Sequence, residues 1–163
     1  MVRYKTLVNM RVNDRMKIAV IPQYKELLNN TLFNDKEYSL MQVRGVDRPG
    51  FSTLQKELEN KGHKIATFDQ FKISEVDLYL FHDINYYYLC KIMESDYSPK
   101  IVYMMCEAPS FIPFNSAVSI LTHRPFFDRI VTWNDELVEG NSRIYKYNLP
   151  YKHEEYMFNE RSR

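Results

Sequence analysis

Glycine is scarce in this chain, and no glycine-rich loop can be built from the four present at positions 45, 50, 62 and 140. Neither a G-x-G-x-x-G turn nor a P-loop fits them, so a self-contained dinucleotide or ATP site is excluded. Long apolar runs are also missing. Nothing approaches the roughly 18 residues of a membrane span, and the N-terminus has no signal-peptide core, so the expected location is the cytoplasm, with peripheral membrane contact left open. Charge of one sign is absent as well: 22 Lys plus Arg against 21 Asp plus Glu gives a net charge of +1. Such a balance argues against nucleic acid as a partner.

The cysteines number two, Cys90 and Cys106, with no C-x-x-C spacing, and both read as reduced, partly buried thiols. Four scattered histidines show no i, i+4 pair and give no zinc signature, so no metal is expected. A G-x-S-x-G elbow is absent, and Cys106 has no basic neighbour in sequence. Nucleophilic catalysis drops out.

What is present is a 163-residue chain, one domain's worth, with 15% aromatics supplied by 13 Tyr, 10 Phe and a single Trp. That content suits a sheet core, and a sugar-stacking surface is the functional alternative. Residues 1–15 are charged and irregular and are expected to be a leader. The apolar run Met16 to Ile21, stopped by Pro22, predicts a first strand, and Gln23 to Pro49 predicts a long loop around a short strand at Leu40–Val43. Ser52-x-x-Gln55 has the form of a capping box, Phe51, Leu54 and Leu58 share a helical face, and Gly62 is placed to cap that helix. Further strands are predicted at His63–Phe68, Val76–Phe81, Lys100–Met105 and Asp128–Trp133. Helices are predicted at Tyr86–Ser95, with Asp83 or Asn85 as its cap, at Ser116–His123 and at Asp135–Glu139, the last ending at Gly140. Strands alternating with helices at these spacings imply parallel crossovers. The expected fold is a Rossmann-like three-layer α/β domain with a mainly parallel sheet over residues 16–151, and 152–163 are expected to be a linker toward a further domain.

Ligands of open α/β sheets bind at the carboxyl ends of the strands, which singles out Glu107 in the loop Cys106-Glu107-Ala108-Pro109-Ser110. Desolvated by Met105, Phe111 and Phe114, it would suit general-base work; alternatively it accepts backbone N–H bonds or pairs with Arg129. His82-Asp83 ends the preceding strand on the same edge. The pair can orient a substrate hydroxyl, or Asp83 can cap a helix beside a half-buried His82. His123 suits a helix C-terminus, and His63 and His153 read as loop residues. Tyr86-Tyr87-Tyr88 spreads rings over three helix faces, with at least one ring expected near the crevice and core packing expected of two.

In order, Val76-Asp77-Leu78-Tyr79-Leu80-Phe81-His82-Asp83, Lys100-Ile101-Val102-Tyr103 leading to Glu107-Ala108-Pro109, and Phe127-Asp128-Arg129-Ile130-Val131-Thr132-Trp133-Asn134-Asp135 resemble the N-terminal domain of family 10 glycosyltransferases, the α-1,3/1,4-fucosyltransferases. The E-x-P loop followed about twenty residues on by F-D-x-x-x-T-W-N is the most specific element. The resemblance implies the acceptor-binding half of a two-domain GT-B enzyme. That enzyme would move fucose from GDP-fucose to a glycan hydroxyl with inversion, Glu107 being the general base. His82, Asp83, Tyr86, Pro109, Ser110 and Asn134 are the substrate-binding candidates. It also implies a C-terminal donor-binding domain as partner, since no residue here is assigned to GDP and this chain holds no cofactor of its own. The chain alone is then expected to be inactive. A non-catalytic carbohydrate- or protein-binding module is the alternative, and a nucleotide-binding response-type domain fits the alternation but lacks an early acidic pair.

Overall fold

The computed structural model describes residues 15–34, 36 and 50–147. Six strands form one all-parallel sheet: β1 (Lys17–Ile21), β2 (Lys64–Thr67), β3 (Leu78–His82), β4 (Lys100–Met104), β5 (Arg129–Thr132) and β6 (Ile144–Lys146), in the order β2-β1-β3-β4-β5-β6. Helices α1 (Gly50–Asn60), α2 (Tyr86–Glu94), α3 (Ala117–His123) and α4 (Asp135–Val138) complete the fold. The expected strand at Leu40–Val43 and the segments 1–14 and 148–163 lie outside the described residues.

Side chains alternate across a strand, so β1 and β3 each contribute to two cores. Ile18 and Val20 of β1, with Ile65 of β2, pack with Leu27, Leu32, Phe33 and the Phe51, Leu54, Leu58 face of α1. Ala19 and Ile21 turn the other way and join Tyr79, Phe81, Ile101, Tyr103 and Ile130 under Leu89 and Ile92 of α2, Ile120 of α3 and Leu137 of α4. One helix on one face and three on the other make the Rossmann-like three-layer α/β domain expected from sequence.

Several local expectations need correction. Ser52 is no N-cap: α1 begins at Gly50, and Gln55 sends its Nε2 to the Ile65 carbonyl at 3.3 Å instead of back to the helix start. The C-terminal end holds. Gly62 has φ +87°, its N–H reaches Glu59 O at 2.8 Å and that of His63 reaches Leu58 O at 3.0 Å, a complete Schellman motif. Strand β6 was not predicted, because Ile144-Tyr145-Lys146 offers only one buried side chain.

Val76-Asp77 and Phe127-Asp128 lie just before β3 and β5 and serve as staples rather than strand residues. Asp77 Oδ2 accepts from Lys17 N at 2.7 Å, and Asp128 Oδ2 accepts from Ile101 N at 2.8 Å. Each carboxylate thus takes the N–H of a neighbouring strand and helps fix its register at the amino edge of the sheet.

Candidate functional site

At the opposite, carboxyl edge the chain leaves β3 through Asp83, a non-glycine residue at φ +60°, a region that Asp tolerates better than most residues. Its backbone N–H still bonds Met104 O at 2.9 Å, continuing the pairing with β4. The turned backbone leaves the carboxylate fully buried. Asp83 Oδ1 collects three donors: Cys106 N at 2.9 Å, Glu107 N at 3.3 Å and Asn115 Nδ2 at 2.9 Å. Asp83 Oδ2 is buried too, and no described residue hydrogen-bonds to it.

Asn115, also fully buried, is the second organiser. Its Nδ2 donates to the Glu107 carbonyl at 2.7 Å as well as to Asp83, and its Oδ1 accepts from the Tyr103 hydroxyl. Burial, with smaller contributions from Asp83, Cys106 and Tyr86, pushes the Tyr103 phenol far up, so it stays protonated and able to donate. The loop from Cys106 to Asn115 is therefore held at its root by a closed buried network, and Glu107 is tied through both its N–H and its C=O.

The predicted site residues fall into three groups. Glu107 is partly exposed in this loop, while Pro109 and Ser110 form its exposed turn. Phe111, expected to desolvate Glu107, is 73% exposed instead, whereas Met105 and Phe114 are in the core. Tyr86, at the start of α2, is 53% exposed and sets its ring edge-on to Phe114 at 5.5 Å, so it stands beside the same loop. Two of the three consecutive tyrosines are exposed, not one: Tyr87 lies under Lys91 Nζ at 4.5 Å, and only Tyr88 packs inward, against Phe68. His82 and Asp83 form the buried group. His82 is 4% exposed, not half-buried, with its ring edge-on to Phe51 at 4.9 Å. Of the two residues expected to cap α2, Asp83 and Asn85, it is Asn85 that does so, accepting from Tyr88 N. Asn134 lies between β5 and α4, where its Oδ1 caps α4 by accepting from Glu136 N at 3.0 Å.

Arg129 sends Nη1 to the Asp128 carbonyl and lies over the Tyr145 ring. His123, at the end of α3, has Nδ1 2.8 Å from Ser119 O. Of the cysteines, Cys90 is exposed, contrary to expectation, and Cys106 is buried; neither forms a disulfide. Sequence reasoning missed Asn115 and the part played by Cys106. His82, Asp83 and Cys106 present one ligand atom each within 4.8 Å of one another, across a 23-residue gap between Asp83 and Cys106 that no spacing rule registers.

The class these features define is an open, parallel α/β domain with a polar cluster at the carboxyl edge of β3 and β4, one strand from the switch in strand order between β1 and β3. Compared with known proteins, the chain matches no family model, no curated protein and no solved structure. Among the described residues, no helix is long and apolar enough to cross a membrane.

Proposed function

We propose that this domain is the acceptor-binding half of an inverting fucosyltransferase of GT-B architecture, with Glu107 as the general base. The observation that carries the reading is the pinning of Glu107: its backbone is clamped on both sides by Asp83 and Asn115 while its side chain is left partly exposed at the carboxyl edge. A base must be held within a few tenths of an ångström of its working position, and buried hydrogen bonds to its backbone supply that.

In the reaction, the Glu107 carboxylate accepts the proton of the acceptor hydroxyl as that oxygen attacks the anomeric carbon of fucose. The bond to GDP breaks on the opposite face, and the configuration inverts. GDP-fucose is held by a second, donor-binding domain. Tyr86 offers an exposed ring beside the loop on which an acceptor sugar can stack, with Pro109 and Ser110 at the rim. Asp83 and His82 act from beneath, without touching the sugar.

Two measurements test this reading. N-acetylglucosamine- and glucose-containing oligosaccharides titrated onto the chain are expected to shift the NMR signals of Tyr86 and of residues 107–111. With a donor-binding domain and GDP-fucose supplied, Glu107→Gln is expected to lower kcat by about 10²–10⁴-fold with acceptor affinity retained. Full turnover in Glu107→Gln removes the base assignment, and absence of acceptor shifts removes the acceptor site. The exposed Tyr86, Tyr87 and Phe111 favour a second reading, a non-catalytic carbohydrate- or protein-binding module. Acceptor binding with no transfer under any donor condition would select it.

A further inference from the structure

We infer that His82, Asp83 and Cys106 form a binding site for a divalent transition metal, zinc being the best match. Asp83 is the key residue. One oxygen of its carboxylate is met by three N–H donors and the other, equally buried, by none. Among the described residues no Lys or Arg forms an ion pair with it. A buried carboxylate oxygen left without donor or cation costs several kcal/mol in general, and protonating it only exchanges an orphaned acceptor for an orphaned donor. A cation at Oδ2 resolves the imbalance.

Asp83 and two of its neighbours have the chemistry of metal ligands. An imidazole nitrogen of His82, a carboxylate oxygen of Asp83 and Cys106 Sγ all lie within 4.8 Å of one another, and all three residues are buried. Tetrahedral zinc, with ligands at about 2.0–2.3 Å, sets its ligand atoms roughly 3.3–3.8 Å apart, so the site closes by about an ångström on binding. Nitrogen, oxygen and sulfur together suit zinc better than magnesium or calcium, which take oxygen alone. Three protein ligands leave a fourth position for water.

The surroundings are those of a supported site. Bound carboxylates keep their second oxygen in hydrogen bonds, as Asp83 Oδ1 does with Cys106 N, Glu107 N and Asn115 Nδ2. The Tyr147 hydroxyl, which donates to the Met105 carbonyl at 2.9 Å, also lies 3.5 Å from Cys106 Sγ, and Phe51 packs edge-to-face with the His82 ring. On binding, the thiol proton now directed at the Met104 carbonyl leaves to solvent and the thiolate takes the metal, so uptake releases one proton. The ion would tie the ends of β3 and β4 together directly beneath Glu107.

The full chain, stripped with a chelator and titrated with Zn²⁺ or Co²⁺, tests it. One equivalent is expected to bind, and Co²⁺ is expected to show a thiolate-to-metal charge-transfer band. Cys90→Ser should leave band and affinity unchanged; since the chain has two cysteines, a band in that variant can come from Cys106 alone. Cys106→Ser should abolish the band and weaken zinc by more than about 100-fold, beyond the 10–100-fold typical of losing a supporting partner. If Cys106→Ser fails to fold, the band in Cys90→Ser decides. No stoichiometric uptake, no band in Cys90→Ser, or zinc affinity indifferent to Cys106 would each overturn the site.

Discussion

Asn115 spends its whole amide in the interior: its nitrogen serves Asp83 and the Glu107 carbonyl, its oxygen the Tyr103 hydroxyl. Asn115→Ala therefore orphans several buried groups, each costing roughly 1–3 kcal/mol, and should lower stability in urea by about 2–4 kcal/mol with an unchanged m-value. Tyr103→Phe made in the same chain should recover part of that loss, because removing both partners of a buried bond costs less than removing one. A double mutant equal to the sum of its singles would show that the Tyr103–Asn115 bond carries no coupling. Glu107 and Asp83 were legible in the sequence because position decides them: each follows an apolar strand. Asn115 was not, since Ile112-Pro113-Phe114-Asn115 reads as loop until the turn at Pro113–Asn115 folds it under Glu107.

Among the elements, α1 shows how an end signal and a start signal differ in strength. A left-handed C-terminal residue is a backbone demand that few residues other than glycine meet cheaply, so Gly62 marks the helix end unambiguously. Ser52 and Gln55 fit a start pattern by composition alone, but Gln55 is drawn off to the Ile65 carbonyl on β2. Gly62→Ala is expected to cost about 1–2 kcal/mol from backbone strain, because a Cβ there meets only the Arg15 side chain at 3.7 Å, an ordinary contact. Thermal unfolding of the variant measures it; an unchanged midpoint would mean that the turn relaxes out of the left-handed region. The strands were legible within two residues wherever an apolar run crosses the sheet. Their starts at Leu78 and Arg129 were displaced because Asp77 and Asp128 spend their carboxylates on neighbouring strands, a long-range use of side chains that hydrophobic patterning does not encode.

For the molecule as a whole, the larger core carries a built-in alkaline limit. Tyr79 on β3 and Tyr103 on β4 belong to the same apolar cluster under α2 and α3. Burial, with a smaller repulsion from Tyr97, raises the Tyr79 phenol to about 12, and Tyr103 is raised further still. In the unfolded chain both ionise at the ordinary phenol value of about 10, so above that pH the unfolded state has already released protons that the folded state keeps. Stability then falls as pH rises. Below pH about 10 the contribution of both tyrosines is fully present; it is lost progressively from there toward 12 for Tyr79, and beyond that for Tyr103. Urea midpoints measured between pH 8 and 12 should fall steeply above about 10, and Tyr79→Phe should make the decline shallower than in the unaltered chain. An equal slope in Tyr79→Phe would mean that its phenol ionises in place, and that the sheet opens locally at β3 before the domain unfolds.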